Sequence, residues 1–254
     1  MSHIHLLTVL FLLLTGFLAA FIDSTVGGGG LISLPALMFA GLPPSLALGT
    51  NKMAGTLSAL TSSLSYLKSG KIQYKLVSPL IPLSFVGSIA GAYLVNHMAT
   101  AFLRPLVIVL LIAVTIYTIF KRNMGQTNTY RGASRRLFLI SSLVALVLGF
   151  YDGFFGPGTG SFLIISFLFM GFDFVQASGN AKALNLASNV GALVTFPMVH
   201  SINYLYGGIV GGAMIAGAIV GSQVAIRKGV RYVRPLFIVV TILMIGQQLW
   251  TWIA

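Results

Sequence analysis

Three carboxylates, Asp23, Asp152 and Asp173, are all the acid this 254-residue chain contains. Two of them recur in one setting. Asp23 precedes Gly27, Gly28, Gly29 and Gly30, Asp152 precedes Gly156 and Gly158, and each stretch closes a long apolar run. Downstream of each comes a lysine among polar residues: Lys52 beside Asn51, and Lys182 with Asn180, Asn185 and Asn189. Lys182, Asn185 and Asn189 are three and four apart, which puts them on one helix face. An Asp before a glycine-rich helix start reads in two ways. It caps the helix that follows, or it carries a proton or cation, since an ionisable group inside a membrane segment is costly and usually functional. The lysines also have two readings: side chains that snorkel to an interface, or cations facing a cavity. The polar face around them either joins helices or lines a hollow. Asp173, in the short connection GFDF, reads as a solvated turn residue.

The glycines bring in anion chemistry. A glycine cluster interrupts a helix, and the helix that resumes presents free N–H groups and the positive end of its dipole. Such backbone is tolerated at membrane depth only where it lines a cavity or is buried in protein. Two such starts with two lysines describe a pocket for a small anion. Its candidate substrate-binding residues are Gly27, Gly28, Gly29, Gly30, Asn51, Lys52, Gly156, Gly158, Asn180, Lys182, Asn185 and Asn189. Asp23 and Asp152 are its candidate proton-coupling or capping groups.

The elements that must position these residues are membrane helices. Hydrophobic residues make up 57% of the chain and charged ones 7%, against roughly 25% charged in soluble domains. The mean hydropathy is +0.96. Apolar runs recur at about 4–22, 28–41, 45–67, 76–97, 102–120, 137–152, 158–171, 175–199, 207–226 and 233–253. They are continuous rather than alternating, which excludes a β-barrel. The expected fold is all-α, a polytopic helical membrane protein of about ten segments. The second and seventh are short for a span that needs about 20 residues, and both begin in the glycine clusters. The first 20 residues mimic a signal peptide but lack a basic leading region, so an uncleaved first helix is expected.

The two halves repeat. Gly49, Lys52, Ser58, Gly87, Gly91, Arg104 and Pro105 recur 130 positions on as Gly179, Lys182, Ser188, Gly217, Gly221, Arg234 and Pro235. Asp23, Gly27 and Gly29 recur 129 on as Asp152, Gly156 and Gly158. This is an internal duplication: a first repeat at 1–122, a polar basic linker at 123–134 and a second repeat at 135–254. A five-segment unit inverts its copy if every segment crosses. The loop charges agree with ten crossings. Basic residues gather at 68–75, 121–136 and 227–234, whereas 98–104 has Arg104 alone and 200–206 has none. The positive-inside rule then places the three basic loops in the cytoplasm and both termini in the periplasm. The small-residue pairs Gly87/Gly91 and Gly217/Gly221 are expected to let helices pack closely.

The strings FIDSTVGGGGLISLPALMFAGLPPSLALGTNK and FYDGFFGPGTGSF, with an RPL in each half, resemble the TauE/SafE sulfite-exporter family along essentially the whole chain. The second copy reads GPGTG where the first has GGGG. The resemblance implies a multi-pass protein of the bacterial inner membrane that moves sulfite, sulfonates or related organosulfur anions.

The leading expectation is therefore a secondary transporter of a small anion, working by alternating access. No P-loop string is present, so a gradient or the membrane potential must drive it. The alternatives are a passive anion channel and, further off, an intramembrane aspartyl-type enzyme. A net charge of +12 invites a nucleic-acid reading, but the charge lies in short loops between apolar runs, as in membrane proteins. The partners expected are the anion and the lipid bilayer, with no nucleic acid; the oligomeric state is left open. Cysteine is absent, and His3, His5, His97 and His200 all sit at segment ends. No cofactor and no metal site are expected.

Overall fold

The computed structural model describes residues 6–95, 127–132, 134–199, 202–229, 232 and 235. Among these the chain forms eight helices: α1 (Leu6–Val26), α2 (Gly30–Phe39), α3 (Pro44–Lys68), α4 (Tyr74–Val95, with a 3-10 turn at Ser78–Leu80), α5 (Arg135–Phe154), α6 (Thr159–Phe169), α7 (Phe174–Thr195) and α8 (Tyr204–Lys228). The expected fifth and tenth segments, 102–120 and 233–253, lie outside the described residues, save Pro235. Helix starts follow local chemistry. Pro44 opens α3, where its missing N–H is not needed. Ser134, Asp173 and Asn203 cap α5, α7 and α8 through their side chains.

Four helices, α1, α4, α5 and α8, are long and apolar enough to cross a membrane. The protein is a polytopic helical membrane protein. Leu6, Leu7, Leu10 and Leu14 on α1 are exposed, as suits a face turned to lipid. The helices α3 and α7 are equally long but carry the polar residues.

Helix directions follow from which residues meet. Gly16 lies against Val210, and Gly221 against Phe21 and Ser24, so α1 and α8 run the same way. Gly207 meets Thr50 and Met53 while Gly211 meets Ala54 and Leu57, so α3 runs with them. Ser84 and Ser88 donate to the carbonyls of Leu184 and Ser188, and Gly87 and Gly91 lie against Leu146, Phe150 and Phe154. Thus α4, α5 and α7 share a direction. Gly55 lies beside Asn189 and Tyr66 beside Gly179, so α3 opposes α7. Each of α1, α3 and α4 therefore runs against its sequence counterpart α5, α7 or α8. These directions bring Lys68, Lys71, Lys75, Arg135, Arg136, Arg227 and Lys228 to one end of the bundle.

Glycine makes the closest crossings. A Cβ on Gly87, Gly91, Gly217 or Gly221 would collide with backbone of the facing helix, as the small-residue pattern predicts. Gly208 and Gly212 instead meet nothing within 4 Å among the described residues.

The expected second and seventh segments form the short helices α2 and α6. With 10 and 11 residues, α2 and α6 are about 15 and 17 Å long, half of a hydrocarbon core of about 30 Å. Neither spans it alone. Because α1 and α3 run the same way, α2 returns toward the end from which α1 set out, with Gly29 folded back against Ala19 and Asp23. The physical reason is the glycine turn: Gly27 (φ 77°) and Gly28 (φ 86°) reverse the chain after α1. Gly156 and Gly158 do the same between α5 and α6. The described part of the linker is docked rather than loose. The Thr129 N–H donates to the Gly171 carbonyl at 2.7 Å, and the Tyr130 ring stacks on Phe172 at 4.2 Å.

Candidate functional site

The two glycine turns meet at the centre of the molecule. A Cβ on Gly27 would strike Gly160 and Ser161, and the Ser161 hydroxyl donates to the Val26 carbonyl at 3.2 Å. Two helix N-termini from opposite halves thus end beside one another, with α3 and α7 passing on either side.

Between them lies a cavity of about 40 Å³. Of the residues expected at the site it gathers Gly28, Gly29, Gly30, Asn51, Lys52, Asp23, Asp152, Gly156, Gly158, Asn185 and Asn189. The other three lie outside its lining. Gly27 is spent on the contact with α6. Asn180 accepts from the Gln73 N–H at 2.7 Å and so ties α7 to the start of α4. Lys182 is fully buried behind the cavity wall.

The lysines are not snorkelling and do not stand alone. Each pairs with the aspartate of the other half: Lys52 with Asp152 at 2.8 Å, and Lys182 with Asp23 at 2.6 Å. Lys52, Lys182 and Asp152 are at most 3% exposed. The sequence reading supplied two lysines of positive charge; the structure supplies two compensated ion pairs. The physical reason is burial, because a charge without a partner in such surroundings is strongly disfavoured.

The two aspartates share a partner type but not a role. Asp23 does cap: its Oδ1 accepts from the Gly29 N–H at 3.2 Å while Oδ2 faces Lys182. Asp152 takes side-chain donors instead. Its Oδ2 accepts from the Ser188 hydroxyl and from the Asn185 amide at 3.3 Å, and Oδ1 faces Lys52. Each carboxylate is committed to a separate lysine, whereas an aspartyl dyad needs two carboxyls sharing one proton. Asp173 caps α7 through the Val175 and Gln176 N–H groups, both at 2.9 Å. It is half-buried rather than solvated.

The remaining walls are polar. Ser33 donates to Asn51 Oδ1 at 2.6 Å, which leaves the Asn51 amide nitrogen facing Gly30. Asn189 donates to the Asn185 carbonyl at 2.7 Å, leaving its oxygen toward Gly55. Ser58 also lines the cavity, and its buried hydroxyl has no hydrogen-bond partner among the described residues. The site list drawn from sequence omitted it, although its place in the polar cluster near Lys52 was the available signal. Gly156 (φ 91°) lies so near Lys52 that a Cβ there would come within 2.7 Å of Nζ. The glycine is needed both for the turn and for room beside the amine.

A pseudo-symmetric helical membrane protein with a polar, ion-paired cavity between opposed halves is the class that fold and site define. The sequence matches the family described as "Sulfite exporter TauE/SafE" over residues 12–247. The chain belongs to that family. A Sinorhizobium protein named "Probable membrane transporter protein ORF9" is 39% identical over 239 residues, covering 94% of this chain and 90% of the relative. A "Probable membrane transporter protein" of Haemophilus influenzae is 34% identical over 248 residues, covering 97% and 96%. "Probable membrane transporter protein YfcA" of Escherichia coli K12 is 34% identical over 247 residues, covering 96% and 90%. No solved structure matches the chain.

Proposed function

We propose that this chain is a secondary transporter of a small anion, of the sulfite, sulfonate or organosulfur class, in a bacterial inner membrane. One observation carries the reading: a buried lysine, Lys52, faces a cavity into which a glycine-rich helix start also opens. A cation and the positive end of a helix dipole converge there away from bulk solvent, which is how small anions are held. By the roughly 10–15 Å³ that one buried water needs, a hollow of about 40 Å³ takes about three waters. That is room for a small oxyanion or the head of a sulfonate, and too little for a bulky organic acid. The family and the printed names of the relatives support transport.

Alternating access follows from the same architecture. Two inverted repeats, 1–122 and 135–254, joined by the linker 123–134, would rock against each other around the cavity. The opposed directions of α1, α3 and α4 against α5, α7 and α8 support this. So does the gathering of basic residues at one end, which by the positive-inside rule is the cytoplasmic end and leaves both termini periplasmic. The test is flux into proteoliposomes across sulfite, thiosulfate, sulfate, sulfoacetate and small carboxylates. Saturable uptake with counterflow of one of these anions is expected, and Lys52→Met abolishes it while the protein still inserts. No flux of any of them, or normal flux in Lys52→Met, refutes the assignment.

A further inference from the structure

The duplicated residues are equivalent in sequence, but the structure treats them unequally. Lys52 is the only lysine or arginine among the described residues that lines the cavity; its counterpart Lys182 lies behind the wall. Ser188 is bonded to Asp152, whereas its counterpart Ser58 lines the same hollow and its buried hydroxyl has no hydrogen-bond partner among the described residues. Both oxygens of Asp23 are occupied, one by the Gly29 N–H and one by Lys182. Asp152 has donors on Oδ2, but Oδ1 faces Lys52 alone.

Resting on the transport reading above, we propose that the anion binds between Lys52 and the Ser58 hydroxyl, displacing Asp152, which takes up one proton as Lys52 is released. Lys182–Asp23 stays closed as the fixed pair.

The argument is one of charge. In the empty site two acids and two lysines cancel. An added anion leaves a buried charge without compensation, which is strongly disfavoured. One proton, delivered from bulk water through the cavity, restores the balance. Asp152 Oδ1 is where it goes, because Asn185 and Ser188 still satisfy Oδ2 when Oδ1 carries hydrogen. The groups around Asp152 allow this. Lys52 faces it from α3, and Asn185 and Ser188 face it from α7. Asp23 lines the same hollow from α1, with Lys182 behind it. From α4, Ser84 and Ser88 pack on Gly149 and Gly153. The neighbouring Tyr151 hydroxyl donates to the Pro157 carbonyl, and the α6 hydroxyl Thr159 to the Gly156 carbonyl. A freed Lys52 and an unbonded Ser58 then give the anion a full charge and a hydroxyl, with the Asn51 amide and the start of α2 alongside.

The experiment adds methanesulfonate, ethanesulfonate and isethionate, monoanions whose charge is constant near neutrality, to purified wild-type protein in weak buffer. Anion binding and proton uptake are recorded together, the latter with a pH indicator. One proton taken up per anion bound is expected, with affinity falling about tenfold per pH unit as pH rises. Ser58→Ala should weaken binding about tenfold to a hundredfold, as loss of a hydrogen bond to a charged group does. Asp152→Asn should bind with no proton uptake and no pH dependence. Binding by the wild type without proton uptake overturns the displacement of Asp152, and needs no variant to fold. Full affinity in Ser58→Ala overturns the placement of the anion. Failure of the wild type to bind any of the three, together with no flux of any anion in proteoliposomes, overturns the transport reading and this inference with it. Flux with proton-free binding overturns this inference alone.

Discussion

Removing one member of the Lys182–Asp23 pair should unsettle the fold more than removing both. Lys182 is completely buried, and the Asp23 side chain is 18% exposed, with 2.6 Å between the charged atoms. Breaking a buried pair by removing one partner costs about 3–5 kcal/mol, because the other charge is left without compensation. In a chain of this size that corresponds to roughly 6–20 °C in apparent melting temperature, at about 2–4 °C per kcal/mol. The two singles should differ. Asp23→Asn strands an ammonium with no water contact, while Lys182→Met strands a carboxylate that keeps some exposure and the Gly29 N–H. Asp23→Asn should therefore be the worse of the two. The double variant strands neither charge. If the costs were independent it would lose about 6–10 kcal/mol; with the pair removed together it should lose less than either single. The assay is thermal unfolding of the purified protein in detergent, followed by intrinsic fluorescence and by size-exclusion recovery. A double variant that loses, relative to wild type, about the sum of the two single losses would refute the claim that the two residues stabilise the fold through each other.

Three further outcomes follow from the same contacts. Gly153→Ala should fail to yield folded protein, because its Cβ would enter the backbone of α4 at Ser88, whereas Gly208→Ala and Gly212→Ala meet none of the described residues and should be neutral or gain up to about 1 kcal/mol of helix propensity; detergent-extract size exclusion separates these cases. Gly156→Ala forces a side chain into a left-handed backbone and against Lys52 Nζ, so transport should be lost while membrane insertion persists, as proteoliposome flux beside a membrane-fraction blot would report. Ser33→Ala removes the bond that orients the Asn51 amide; about 1 kcal/mol of lost orientation should weaken anion binding roughly fivefold, measured by titration calorimetry, with little change in melting temperature.

Much of the site could be read from the chain before folding. The Asp–Gly clusters, the lysines and the asparagines stood out because they interrupt apolar runs, and eleven of the fourteen residues chosen line the cavity. The exceptions have particular causes. Lys182 shares the helix face of Asn185 and Asn189 but meets Asp23 at the end of α1, whereas Asn180, two residues before it, lies on the other side of α7 and meets the start of α4. Ser58 sits in the polar cluster near Lys52, but serine is also an ordinary helix-packing residue in membranes, and its unmade hydrogen bond distinguishes it. Hydropathy marked the second and seventh segments as short but not their direction, which Gly27, Gly28, Gly156 and Gly158 set by turning the chain round.

What the sequence determined by itself was the membrane, the duplication and the equivalence of Asp23 with Asp152 and Lys52 with Lys182. These are local properties: hydropathy, repetition and loop charge need no knowledge of neighbours. Which aspartate meets which lysine was decided only by tertiary structure. Asp23 and Lys182 are 159 positions apart, and a repeat says which residues are alike, not which touch. Opposed packing of the halves crosses the pairs, so that each lysine is neutralised from the other repeat. That turns a site expected to be positive into a balanced one, in which Lys52 alone among the described lysines and arginines faces the hollow.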